Sequence, residues 1–190
     1  MVDERKGRAA RRGLRVLVVD DNRAAADTLA LLLKLWGHET RVAYDGAAGL
    51  EAARQYLPDC LLLDIDMPRL DGYALARQVR QQPGLERATL VAVTAYSDEA
   101  HRQRAQEAGF DHHLTKPADP RRLEGILRGL NEVLRLARRA EQLSRQNAAL
   151  ANETQEVLRE MKADIRDIKD EIREMREEIR EARENATVVE

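Results

Sequence analysis

From Leu14 to about residue 130, short apolar runs alternate with stretches in which apolar side chains recur every three or four positions. Such alternation predicts a βα series and a parallel sheet. Strands are expected at Arg15–Val19, Glu39–Ala43, Cys60–Asp64, Leu90–Thr94 and His112–Leu114, with helices at 24–35, 46–56, 72–82, 98–108 and from 119 onward. Trp36-Gly37 supplies a left-handed stop for the first helix, and Asp119-Pro120 a start for the last. The runs Val16-Leu17-Val18-Val19 and Leu61-Leu62-Leu63 have no polar alternation, so the first and third strands should be central and covered on both faces. The fold class is α/β, a (βα)5 doubly wound five-stranded parallel sheet. Trp36, Phe110 and Leu75 are expected in its core.

After residue 130 the pattern changes. Residues 131–190 contain no Gly, Pro or aromatic residue, whereas all five prolines and every aromatic lie earlier. From Leu158 the apolar positions repeat in sevens, with Leu158, Ile165, Ile172 and Ile179 at a and Met161, Ile168, Met175 and Ala182 at d. This is a coiled-coil seam. Asp164, Glu171 and Glu178 occupy g; Lys162, Lys169, Arg176 and Arg183 occupy e. In a parallel, in-register pair each g acid faces the next e base of the partner, while an antiparallel pair sets like charges together. Upstream, Val133, Leu136, Ala140, Leu143, Asn147, Leu150, Thr154 and Val157 form a second seam, joined to the first through the spacing 154, 157, 161, 165, 168. That four-residue step is a stutter, which unwinds the supercoil locally. The expected organisation is a basic disordered arm at 1–13, a globular domain at 14–130, a coiled-coil helix continuous with the fifth helix at 131–185, and a frayed tail at 186–190.

A net charge of -2 gives no general attraction to nucleic acid or to anionic membranes, and the turn signals of a helix-turn-helix are missing. Direct DNA binding is therefore not expected. The five Arg or Lys residues of the arm are read as a solvated segment. No apolar stretch approaches the ~20 residues needed to span a bilayer. The single cysteine, Cys60, lies inside an apolar run and suits a reducing cytoplasm.

The strand ends carry the chemistry. In a parallel sheet the strand C-termini share one edge, so Asp20, Asp21, Asp64, Thr94 and Lys116 should converge there. Three carboxylates at short range repel unless a cation compensates, and Mg²⁺ suits oxygen ligands combined with phosphate oxygens. With Lys116 and Thr94 holding a phosphoryl group, Asp64 can act as a nucleophile and become an aspartyl phosphate.

The strings Leu17-Val18-Val19-Asp20-Asp21-Asn22, Leu63-Asp64-Ile65-Asp66-Met67-Pro68 with Asp71-Gly72, Val93-Thr94-Ala95 and Leu114-Thr115-Lys116-Pro117 resemble the receiver domain of two-component response regulators, a flavodoxin-like fold. The resemblance implies that Asp64 is the phosphoacceptor of a phosphorelay, served by a sensor histidine kinase or a phosphotransfer protein. It also implies that Asp21 ligates Mg²⁺ directly, Asp20 through water and Asp66 through its backbone carbonyl. Thr94 and Lys116 then sense the phosphoryl group, and the Lys116–Pro117 bond is cis.

Two positions depart from the commoner pattern. His113 stands where many receivers carry Tyr or Phe, and Asp66 places a further carboxylate near the phosphoryl group. Asp66 and Tyr96, on opposite rims, are expected to tune the lifetime of the phosphorylated form. The expected protein is a cytoplasmic signalling phosphoacceptor rather than an enzyme, with output through a parallel homo-oligomeric coiled coil, most simply a dimer. The alternative is an adaptor that binds Mg²⁺ but accepts no phosphoryl group.

Overall fold

The computed structural model describes the backbone of residues 13–187 and the side chains of 13–180. The basic arm up to residue 12 and the last three residues of the tail lie outside the described residues. Five strands, β1 (Arg15–Val19), β2 (Glu39–Ala43), β3 (Cys60–Asp64), β4 (Thr89–Thr94) and β5 (His112–Thr115), alternate with helices α1 (Arg23–Leu35), α2 (Gly46–Tyr56), α3 (Gly72–Arg80), α4 (Glu99–Ala108) and α5 (Pro120–Thr187). The sheet is parallel throughout, in the order β2-β1-β3-β4-β5. β1, β3 and β4 are buried along almost their whole length, whereas the edge strands are not: β2 alternates, and β5 buries only Leu114.

The pleat divides the core between two layers. Leu17, Val19, Leu61, Leu63, Leu90 and Ala92 face α2, α3 and α4, meeting Leu50, Ala53, Leu75, Ala76, Val79, Ala105 and Ala108. Val16, Val18, Cys60, Leu62, Val91 and Val93 face α1 and α5, meeting Ala26, Ala30, Leu33, Leu123 and Leu127. Phe110 belongs to the first layer, and Trp36 packs half-buried against the second.

The loops that feed the helices share one device. Asn22, Asp45, Asp71 and Asp98 each accept the N–H of the residue three positions on, at 2.7 to 3.1 Å. α1 stops at Trp36, and Gly37 follows with φ +88°, the left-handed conformation that glycine takes without a Cβ clash.

α5 opens behind Asp119, which accepts the N–H of Arg121 at 2.9 Å. Its first turns belong to a compact unit ending at Leu134; a second unit begins at Arg135. Within this second unit, every residue from 135 to 180 is exposed apart from the half-buried Asp170.

Candidate functional site

Sheet order reverses direction between β1 and β3, and doubly wound sheets bind their ligands at the C-terminal edge of such a switch point. Val19 pairs with Leu63 in the parallel register, so the next residues, Asp20 and Asp64, leave the sheet side by side. Among the described residues, the buried polar ones are Asp20, Asp64 and Thr94. All three sit at this edge. Burying a carboxylate is costly unless partners or an ion compensate, so the sequence retains these groups against its own packing preference.

Three carboxylates meet here. One oxygen from each of Asp20, Asp21 and Asp64 lies within 4.8 Å of the others. Lys116 reaches in from the end of β5, with its Nζ 2.8 Å from Asp20 Oδ2 and 3.0 Å from Asp64 Oδ2. Asp20 Oδ1 accepts the N–H of Asn22 at 2.9 Å, while Asp64 Oδ1 accepts that of Asp66 at 3.4 Å. Burial pushes the Asp64 carboxyl above its ordinary range, and the bond and charge of Lys116 pull against it. Burial would lower the Lys116 ammonium, but its hydrogen bonds to Asp20 and Asp64 and their charges outweigh this and hold it above its usual value.

Three carboxylates against one ammonium leave two negative charges in an all-oxygen donor set. That donor chemistry fits a hard divalent cation such as Mg²⁺.

Thr94 ends β4 opposite Thr115, and its Oγ1 accepts the N–H of Tyr96 at 3.2 Å. The backbone N–H of Lys116 donates to the carbonyl of Thr94 at 2.7 Å, fixing the two strand ends to each other. The Lys116–Pro117 bond is cis, in keeping with the resemblance. Asp66 is exposed just beyond Asp64. Tyr96 is partly exposed, and its ring is stacked on His101 with centroids 4.2 Å apart.

His101 is a residue that strand-end logic missed. Its Nδ1 lies 2.7 Å from Asp98 Oδ2, so the cap of α4 also orients the imidazole under Tyr96. The signal present in sequence was the Asp-x-x-His spacing at a helix start.

His113 is half-buried on β5 beside Ala92, and its Nε2 is sealed from solvent without a hydrogen-bond partner. Burial, then the positive charges of Arg102 and Arg122, depress its pKa, which keeps the ring neutral near pH 7.

Residues 16–128 match the response regulator receiver domain. The chain belongs to that family. This receiver is 39% identical over 105 residues to an uncharacterised 14.6 kDa protein of Leptolyngbya boryana, in a match covering 55% of this chain and 80% of that protein. It is 36% identical over 122 residues to the response regulator MprA of Mycobacterium ulcerans, covering 64% of this chain and 50% of MprA. Against MprA and similar regulators, the receiver thus spans about half of the relative's length.

Among solved structures, a response regulator of Chloroflexus aurantiacus aligns with a TM-score of 0.59 at 32% identity, covering 63% of this chain and 98% of that one. The receiver domain of the Pseudomonas aeruginosa sensor histidine kinase PA1611 aligns with a TM-score of 0.59 at 28% identity, over 63% of this chain and 98% of that domain. That domain carries a magnesium ion coordinated in its active-site cleft. Among the described residues of the present chain, no helix is long and apolar enough to cross a membrane.

Proposed function

We propose that the receiver is a Mg²⁺-dependent phosphoacceptor whose Asp64 takes a phosphoryl group from a histidine kinase or phosphotransfer protein. The observation that supports this most is the confinement of the buried polar residues, among those described, to Asp20, Asp64 and Thr94, all at one strand edge. Asp64 is central among them and is paired with a lysine that favours its ionised form.

In the reaction a carboxylate oxygen of Asp64 bonds to phosphorus as the donor's P–N bond breaks, and the donor imidazole leaves. Lys116 supplies positive charge beside the incoming group, and Thr94 a hydroxyl able to donate to a phosphoryl oxygen. Asp20, Asp21, Asp64 and the backbone carbonyl of Asp66 would hold Mg²⁺, which when bound supplies further positive charge to those oxygens. His113 and Thr94 then form the switch pair. Asp66 and Tyr96 border the acceptor and set the lifetime of the product.

The signal leaves through α5. Its apolar seam is exposed in the single chain, from 40% at Ile172 to 63% at Val133. A stripe of that length calls for a partner, and the consistent attraction between Asp164 and Lys169 and between Glu171 and Arg176 selects a second, parallel copy of this helix. The domain limits that go with this proposal are 14–130 for the receiver and 131–185 for the coiled coil. The cytoplasm is the compartment that suits it.

The test is intact mass after incubation with Mg²⁺ and acetyl phosphate or a small phosphoramidate. The wild type should gain one hydroxylamine-labile phosphoryl group, and Asp64→Ala none. A folded wild type that binds Mg²⁺ but gains no mass would make the chain an adaptor instead.

A further inference from the structure

α5 is regular helix through both apolar seams, and every described seam side chain, from Val133 to Ile179, is exposed in the single chain. Downstream of Leu158 the pairing face is unambiguous, because Leu158, Ile165, Ile172 and Ile179 alternate with Met161, Ile168 and Met175 and charges flank them on both sides. Upstream, two faces compete. Carrying the downstream frame backward without interruption places Ala137, Ser144 and Ala151 at a, and Ala140, Asn147 and Thr154 at d. Taking the stutter instead places Ala140, Asn147 and Thr154 at a, with Leu136, Leu143, Leu150 and Val157 at d.

Both frames share Ala140, Asn147 and Thr154. They differ only in the flanking row: Leu136, Leu143, Leu150 and Val157 on one side, or Ala137, Ser144, Ala151 and Leu158 on the other. Each residue of one row immediately precedes its counterpart in the other. At ~100° per residue, a four-residue step turns the helix by roughly 40–50° beyond a full turn, so the two faces are related by a small axial rotation.

The frames trade different gains. The leucine row buries more apolar surface but requires the locally unwound stutter. The small row keeps one continuous heptad and lets the backbones approach. Asn147 lies in the seam of both, so register along the axis is kept while rotation stays free.

The acceptor site is tied to the start of α5, the helix that carries this stretch further along. Lys116 contacts Asp64 at 3.0 Å, and only Pro117, Ala118 and Asp119 separate it from the first turn of α5.

We propose that residues 136–158 of two parallel copies pair in two alternative phases, one on the leucine row and one on the small row, and that phosphorylation of Asp64 shifts the balance between them. This rests on the parallel coiled coil proposed above, whose second copy is argued from its complementary g and e charges.

The test is disulfide cross-linking of variants of the full chain that each carry one added cysteine. The native Cys60 is fully buried and does not compete. Leu143→Cys and Leu150→Cys report one phase, Ser144→Cys and Ala151→Cys the other, and Ile172→Cys the downstream coil common to both. Rates are compared in EDTA and in Mg²⁺ with beryllofluoride. Ile172→Cys should cross-link equally in both conditions, while the rate ratio between the two upstream rows should change at least threefold. In an Asp64→Asn background the ratio should stay at its resting value.

Efficient cross-linking at Ile172→Cys with an unchanged upstream ratio overturns the two-phase proposal and leaves the coiled coil standing. No cross-linking at Ile172→Cys removes the coiled coil, and the two phases with it. A ratio that shifts equally in Asp64→Asn overturns the link to the acceptor.

Discussion

A Cβ atom on Gly72 would stand 2.3 Å from the carbonyl oxygen of Asp64. The first residue of α3 therefore lies directly against the backbone of Asp64, the proposed acceptor, and its N–H donates to the carbonyl of Ile65 at 2.9 Å. Gly72→Ala must push this loop away, at a cost of about 1–3 kcal/mol in stability. The urea midpoint should fall, and phosphoryl uptake at Asp64 should slow more than Lys116 or Thr94, both untouched, would explain.

Mg²⁺ should stabilise the folded receiver. Asp21 is exposed, so Asp21→Ala removes one carboxylate of the cluster without opening a cavity. With the ion at a hundredfold excess over its dissociation constant, the wild type gains ~2.7 kcal/mol by mass action. Thermal unfolding in Mg²⁺ against EDTA should show that gain, and Asp21→Ala should lose most of it.

Arg80 ties together the ends of three segments. Its guanidinium donates to the carbonyls of Gly109, Glu86 and Ala88, and it pairs with Asp111 at 2.7 Å. Asp111 in turn accepts the N–H of Leu90, at the start of β4. Arg80→Met should cost about 1–3 kcal/mol, because partly buried carbonyls lose charged donors. Arg80→Lys should recover only part of this, since one ammonium cannot reproduce the planar fork. Urea denaturation of the two variants checks the order.

Two histidines make stability depend on pH. His38 Nδ1 accepts the N–H of Leu14 at 3.2 Å, which requires an unprotonated nitrogen, and burial lowers its pKa. The pKa of His113 is lowered too, by burial and then by Arg102 and Arg122. A base whose folded pKa is depressed gives stability that is complete above its unfolded value of ~6.5 and is lost as pH falls toward the folded value. The urea midpoint should accordingly rise as pH is raised from the acid side toward about 7. His38→Asn should flatten the slope, whatever its effect on the plateau.

The rim stack predicts coupling in dephosphorylation. Tyr96 lies on His101, and Asp98 orients the imidazole. Tyr96→Ala should open the rim and shorten the phosphoryl lifetime severalfold. His101→Ala should act in the same direction, and the double variant should be less than additive, because both remove one structure. Unchanged lifetimes in Tyr96→Ala and Asp66→Asn would end the rate-tuning role assigned to these residues.

Much of the fold was legible because periodicity and caps agree. β1, β2 and β3 match their expected limits; in β1 and β3 a continuous apolar run ends at a carboxylate. Boundaries set by neighbours were less visible. β4 starts one residue early because Thr89 pairs with Cys60, and β5 runs on to Thr115 because it pairs with Thr94. α3 stops at Arg80 rather than at 82, because Gln81 and Gln82 turn their N–H groups to carbonyls three residues back. α4 starts at Glu99, since Asp98 serves as its cap.

The site was readable for a topological reason: residues at strand ends must meet whatever their separation along the chain. Contacts that depend on side-chain packing, such as Tyr96 on His101 or Arg80 across two turns, leave little trace in pattern alone.

The confinement of every aromatic residue to positions 36–110 has an optical consequence. Tryptophan and tyrosine emission, and near-ultraviolet dichroism, arise entirely from the receiver. α5 meanwhile contains more helical residues than the other four helices combined and dominates the far-ultraviolet signal. A single denaturation experiment observed in both wavelength ranges therefore separates the melting of the sheet domain from that of the long helix, with no label attached.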